Sequence, residues 1–116
     1  MNPTTSLEFS RKVFEIIGDQ EMQYAHVIPK DKHFGVFDGI LDVSSWEDDD
    51  REGWEEVIPA YTFGELLRVI PLIAEKNRLS DPHRYDVMMN ASRCYMFAST
   101  PEQGMKDVET YLEQYL

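Results

Sequence analysis

Seven carboxylates and a single guanidinium crowd residues 47–56, so ten residues hold a charge of −6 in a chain whose total is −11. Trp46 and Trp54 bracket most of this run, and Tyr61 follows it. Two chemistries suit such a stretch. Alternating oxygen ligands can hold calcium, and Asp48, Asp50 and Glu52 stand at the first, third and fifth places of a loop with Gly53 at the sixth. The twelfth place, where a bidentate Glu would close the shell, is Pro59, and Arg51 puts a positive charge inside the loop. A solvated loop is the expectation, with a weak cation site as the alternative. The second chemistry is recognition. Aromatics flanking a charged loop can form a protein-binding surface, or the two indoles can anchor the loop onto a core. Trp46, Asp48, Asp49, Asp50, Trp54 and Tyr61 are therefore the candidate partner-binding residues.

Catalytic chemistry finds little to stand on. His26, His33 and His83 are the only histidines, and their spacing matches no metal motif. His26 and His33 could face each other across a hairpin. Cys94 is the only cysteine, which excludes an internal disulfide and any multi-cysteine zinc site. As a nucleophile it would need a base such as His83 within reach, and as a lone cysteine it is expected to pack. The six glycines are isolated, so there is no phosphate-cradling loop, and no Gly-x-Ser-x-Gly element occurs. No cofactor, metal or catalytic residue is expected.

The elements that must position these residues fit one domain of 116 residues. Fourteen aromatics supply apolar area against chain entropy. Twenty-two acidic against eleven basic residues argue against direct binding to phosphate backbones. No apolar run approaches the ~20 residues of a membrane span. The first residues show no basic-then-apolar leader. A cytoplasmic, reducing setting is expected.

Three helix starts are signposted by a hydroxyl residue followed three places later by Glu or Gln: Thr5–Glu8, Thr62–Glu65 and Thr100–Gln103. The first predicts a helix over about Ser6 to Ile17, with Phe9, Val13, Phe14 and Ile17 in one stripe and Gly18 ending it. The second predicts Phe63 to about Lys76, kinked or ended near Ile70 by Pro71. The third runs from Pro101 towards the C-terminus, burying Met105, Val108 and Leu112. Between the first two, Gln23–Ile28 reads as a strand, Phe34–Phe37 as its return and Ile40–Val43 as a further short strand, with residues 44–56 as loop. Residues 83–98 fit either one helix or two strands turning at Asn90-Ala91-Ser92, and the aromatic run Cys94–Phe97 favours the hairpin. The expected fold is α+β: helix, strands, acidic loop, helix, β-hairpin, C-terminal helix.

The segment Ile58-Pro59-Ala60-Tyr61-Thr62-Phe63-Gly64-Glu65-Leu66-Leu67, followed by Ile70-Pro71, resembles an I-P-A-x-T/S-x-x-E-L-L-x-x-L-P pattern. That pattern recurs in small phage, prophage and gut-bacterial proteins of no assigned function. There it precedes a hairpin and a closing helix entered by Ser/Thr-Pro-Glu, as Thr100-Pro101-Glu102 stands here. The resemblance covers residues 58–116. It implies a fold and a phage or mobile-element origin, and it brings no catalytic residue. Such closing helices usually carry Ala where this chain has Gly104, and the segment before residue 58 is longer and more acidic here. The closing part is also similar to antitoxin domains of the HicB type, through Thr100 and Glu102 alone.

Three functions are thus weighed: a non-enzymatic protein-binding or accessory protein, an acidic mimic of nucleic acid that inhibits a DNA- or RNA-binding enzyme, and an enzyme. The first is the expectation. Concentration of charge in one loop, instead of along an extended surface as phosphates are, counts against the second. The lack of a catalytic constellation counts against the third.

Overall fold

Ser6 opens the first helix, α1 (Leu7–Ile17), in the computed structural model, which describes residues 3–30 and 39–116. Its hydroxyl accepts the Phe9 N–H at 3.2 Å. Thr5, expected to cap this helix, is instead fully buried. Its hydroxyl hydrogen-bonds with the Ser10 hydroxyl at 2.7 Å and accepts the Tyr61 N–H at 3.0 Å. A buried threonine with two internal partners has no hydroxyl left for a helix end. Gly18 terminates α1 at φ 76°, a conformation open to glycine at no steric cost.

Strand β1 (Tyr24–Pro29) is the centre of a three-stranded antiparallel sheet ordered β2-β1-β3, with β2 spanning Gly39–Asp42 and β3 spanning Trp54–Ala60. Tyr24 pairs with Asp42 on one side and Ala60 on the other, and His26 pairs with Ile40 and Ile58. The expected return strand Phe34–Phe37, and His33 with it, lie outside the described residues. Residues 44–56 are not all loop. They hold a short helix, α2 (Asp48–Glu52), and the start of β3. Side chains alternate across a strand. One face of β1 turns Ala25 and Val27 onto Val43, Val57 and the two tryptophans, and His26 lies on the other face, against Thr5.

The main core lies among the helices. Thr62 caps α3 (Phe63–Lys76) with the full reciprocal box: its hydroxyl accepts the Glu65 N–H, and Glu65 accepts the Thr62 N–H at 3.0 Å. Pro71 does not end this helix. Leu66, Ile70, Ile73 and Ala74 are buried on both sides of it, and that packing outweighs the ~3 kcal/mol an interior proline costs. Residues 83–98 are not a hairpin. They lie in a single helix, α4 (Asp81–Met96), and the first two residues past it, Phe97 and Ala98. Pro82 sits in its first turn, where a missing N–H costs nothing, and Asn90-Ala91-Ser92 is helix interior with Ala91 fully buried. The last helix, α5 (Pro101–Leu112), is capped by the Thr100 hydroxyl and buries Met105, Val108 and Leu112 as expected. The domain is α+β. No helix among the described residues is long and apolar enough to cross a membrane.

Gly104 sits at a close helix crossing. It is buried where α5 crosses α4, and a Cβ there would lie 3.0 Å from the Tyr95 carbonyl oxygen and 3.3 Å from its Cα. Tyr95 in turn stacks face to face on Phe63, with ring centroids 4.0 Å apart, so α4 cannot retreat freely. Helix propensity alone would favour Gly104→Ala by up to ~1 kcal/mol. The expected outcome is the opposite sign, a loss of about 1–3 kcal/mol from overpacking, read as a lowered denaturation midpoint with unchanged slope.

Candidate protein-binding groove

The acidic run is held in place from both ends. Trp46 and Trp54 stack on each other with centroids 6.1 Å apart and planes 17° apart, closing the intervening segment onto itself. Both indoles are half-buried against Ala25, Val27 and Val43, so they anchor the run onto the outer face of the sheet. Upstream, Asp42 fixes a turn by accepting the Ser44 hydroxyl at 2.6 Å and the Ser44 N–H at 3.0 Å, and Gln23 donates to it at 3.1 Å. These hydrogen bonds, the Ser44 hydroxyl first, hold its carboxyl below the usual range. The Trp46 N–H then bonds to the Val43 carbonyl at 3.0 Å.

This frame shapes an open groove of about 420 Å³ between the α1–β1 connection and α2. Asp19, Glu21, Glu47 and Asp48 line it with carboxylates, and Met22, Val43 and Trp46 give it apolar surface. Arg51 is the one cation at its wall, bonded to Asp19 at 3.1 Å. Both partners are solvated, so that pair adds little stability. Its effect is to tie α2 to the end of α1 while leaving the groove strongly negative.

The candidate residues separate accordingly. Trp46 and Asp48 line the groove, and Trp54 supports it through the stack. Asp49 is exposed outside it. Asp50 accepts the Glu47 N–H at 2.8 Å, so it stabilises the start of α2. Tyr61 is fully buried in the helical core and offers no surface to a partner. Asp19, Glu21, Met22, Val43 and Arg51 were missed by sequence reading. The only signal for them was a second small acidic cluster, Asp19 and Glu21, directly after the glycine that ends the first helix.

The calcium pattern is not assembled. Asp48, Asp50 and Glu52 belong to a helical turn, and among the described residues no three His, Cys, Asp or Glu side chains gather to hold a metal ion. Cys94 and His83 sit eleven residues apart on one helix, ~16 Å along its axis, too far for a thiol–imidazole pair. Met88 packs against the core, whereas Met89 is exposed. His26 is buried and its Nε2 lies 2.8 Å from the Thr5 carbonyl, so that nitrogen carries the proton and donates. Burial pushes His26 below its ordinary range, the Thr5 hydrogen bond opposes this, and the Arg11 charge adds to the lowering. It is a structural histidine fastening β1 to the segment before α1. Glu109 has a matching role on α5. It accepts the Ser6 N–H at 2.6 Å, and burial raises its carboxyl despite that bond.

Comparison with protein-family models, with curated proteins and with solved structures finds no match to this chain.

Proposed function

We propose that the protein is a small, non-enzymatic, cytoplasmic protein-binding module, and that its groove takes a basic segment of a partner protein. The observation that carries this reading is the wall of four carboxylates around apolar surface from Met22, Val43 and Trp46. A lysine or arginine side chain seated there would place its alkyl stem on Trp46 and its charge among the carboxylates. The resemblance of residues 58–116 adds a phage or mobile-element origin to the proposal. The alternative, an acidic mimic of nucleic acid, uses the same carboxylates and differs in the partner, which would then be a DNA- or RNA-binding enzyme displaced by polyanions.

The test is a titration with a synthetic lysine- and arginine-rich peptide, read through the fluorescence of the two tryptophans, both of which belong to the groove frame. Binding is expected at low salt and is expected to weaken steeply as salt rises, because solvated charges are screened. The double change Glu21→Gln, Asp48→Asn should weaken it about three- to tenfold, since each solvated ion pair contributes under ~1 kcal/mol. Folding should be intact. No binding at low salt, or binding indifferent to that double change, would reject the groove as the site. Capture of a nucleic-acid-binding enzyme from a bacterial lysate, released by heparin, would favour the alternative.

A further inference from the structure

Helix α4, together with its C-terminal cap Phe97, carries apolar residues on two opposite faces. Val87 and Ala91 point into the core, while Tyr85, Met89, Met96 and Phe97 are 64%, 36%, 73% and 82% exposed. On a 3.6-residue helix these four fall on the side away from Ala91, and Asp86 and Arg93 fall among them. Both charged residues are exposed, and neither makes an ion pair among the described residues. Exposed apolar side chains gathered on one face, with two charges among them, mark an interaction surface.

We propose that this face of α4 is a two-fold interface with a second copy of the chain, the two helices running antiparallel. The charges decide the occupant. Asp86 and Arg93 are seven residues apart, two helical turns on one face. An antiparallel copy centred between Met89 and Asn90 sets Asp86 opposite the copy's Arg93, and Arg93 opposite the copy's Asp86. A parallel copy would set Asp86 against Asp86. The surface is thus complementary to itself, as a two-fold interface must be. In the same register Met89 meets its counterpart near the axis. Charge elsewhere selects this face. The chain is at −11, yet α4 holds two acidic and two basic residues, so it is a place where two copies can meet without repulsion. The same net charge disfavours an anionic membrane as the occupant. A sixteen-residue helix is ~24 Å long. A contact confined to one helix face is small, so a reversible monomer–dimer equilibrium is expected. This inference is independent of the groove, which lies on other elements.

Sedimentation velocity of the full chain over a wide concentration range tests it. A reversible monomer–dimer equilibrium is expected. Asp86→Arg should weaken it at least tenfold by facing two cations against each other twice, and Asp86→Arg with Arg93→Asp should restore it to within about threefold. Met89→Glu, at an exposed position that folding does not need, should abolish it. Circular dichroism checks that each variant is folded, and Met89→Glu carries the test should a charge reversal disturb the helix. A monomer at every concentration overturns the proposal, as does a dimer indifferent to Met89→Glu. Failure of the double reversal to restore pairing overturns the antiparallel register.

Discussion

Ala91→Pro is expected to remove half or more of the protein's stability. Proline deletes the N–H that would bond to the Val87 carbonyl, and its ring collides with that carbonyl, which together cost ~3 kcal/mol or more in a helix interior. Ala91 is also fully buried, and it sits with Val87, Met105 and Val108 in the main core, so relaxation of the helix must disturb packing as well. Domains of this size hold only ~5–15 kcal/mol in all. Met88→Pro, one turn earlier, should be about as severe. Urea unfolding followed by far-ultraviolet dichroism reads both. A turn at Asn90–Ser92 would instead make Ala91→Pro nearly neutral, and that result would refute the continuous helix.

A contrast at one residue is expected from Tyr61. The ring is completely buried in the helical core, but its hydroxyl has no hydrogen-bond partner among the described residues. Tyr61→Ala should cost about 3–5 kcal/mol, the range for emptying an aromatic site. Tyr61→Phe keeps the ring and deletes an unsatisfied buried hydroxyl, so it should be neutral or stabilise by up to ~1 kcal/mol. The same burial pushes the phenol up to about 12 from its ordinary 10, with the Asp19 and Glu65 charges adding to the rise. The unfolded chain therefore releases this proton before the native state does. Stability is fully present below pH 10 and falls as pH rises towards 12, by about 1–2 kcal/mol at pH 11. Denaturation midpoints at neutral pH and at pH 11 should show this loss in the native sequence, and Tyr61→Phe should lose less. An equal alkaline loss in both would mean that Tyr61 titrates as an ordinary exposed tyrosine.

The parts of the fold legible in the sequence are those in which local chemistry and burial agree. Thr62 with Glu65 marked the start of α3, and the stripe Leu66, Ile70, Ile73 marked its buried face, whereas Pro71 wrongly suggested an end near Ile70. Thr100 with Pro101 marked the start of α5. Where one residue served the tertiary structure, the local signal misled: Thr5 reads as a cap, yet the capping hydroxyl is that of Ser6. Helix α4 was hidden because Tyr85, Met89, Met96 and Phe97 oppose Val87 and Ala91, which erases the periodicity that a one-sided helix displays. Strand β3 was hidden by its own charges and by Pro59, which is unusual in a strand and here faces Ala25 across the sheet. Of the groove, Trp46 and Asp48 were legible because the acid run is contiguous. Asp19, Glu21 and Met22 reach it only through the fold, across more than twenty residues of chain, and no spacing rule connects them.

The fastening around Thr5 has a kinetic side. Thr5 donates its N–H to the Tyr61 carbonyl at 2.8 Å, accepts from Tyr61 and His26, and Thr4 bridges to Thr62, so these bonds close a loop of more than fifty residues. The entropy of closing so long a loop must be met before these bonds return anything. Helices α4 and α5, joined by four residues, face no such delay. Assembly should therefore begin at the C-terminal helices and end when the first turn of the chain locks against Tyr61. The lock is also where the native state should first come open. In a hydrogen-exchange experiment the Thr5 and Tyr61 amides would exchange through this partial opening, ahead of the buried amides of α5, although both residues are as deeply buried as any in the molecule.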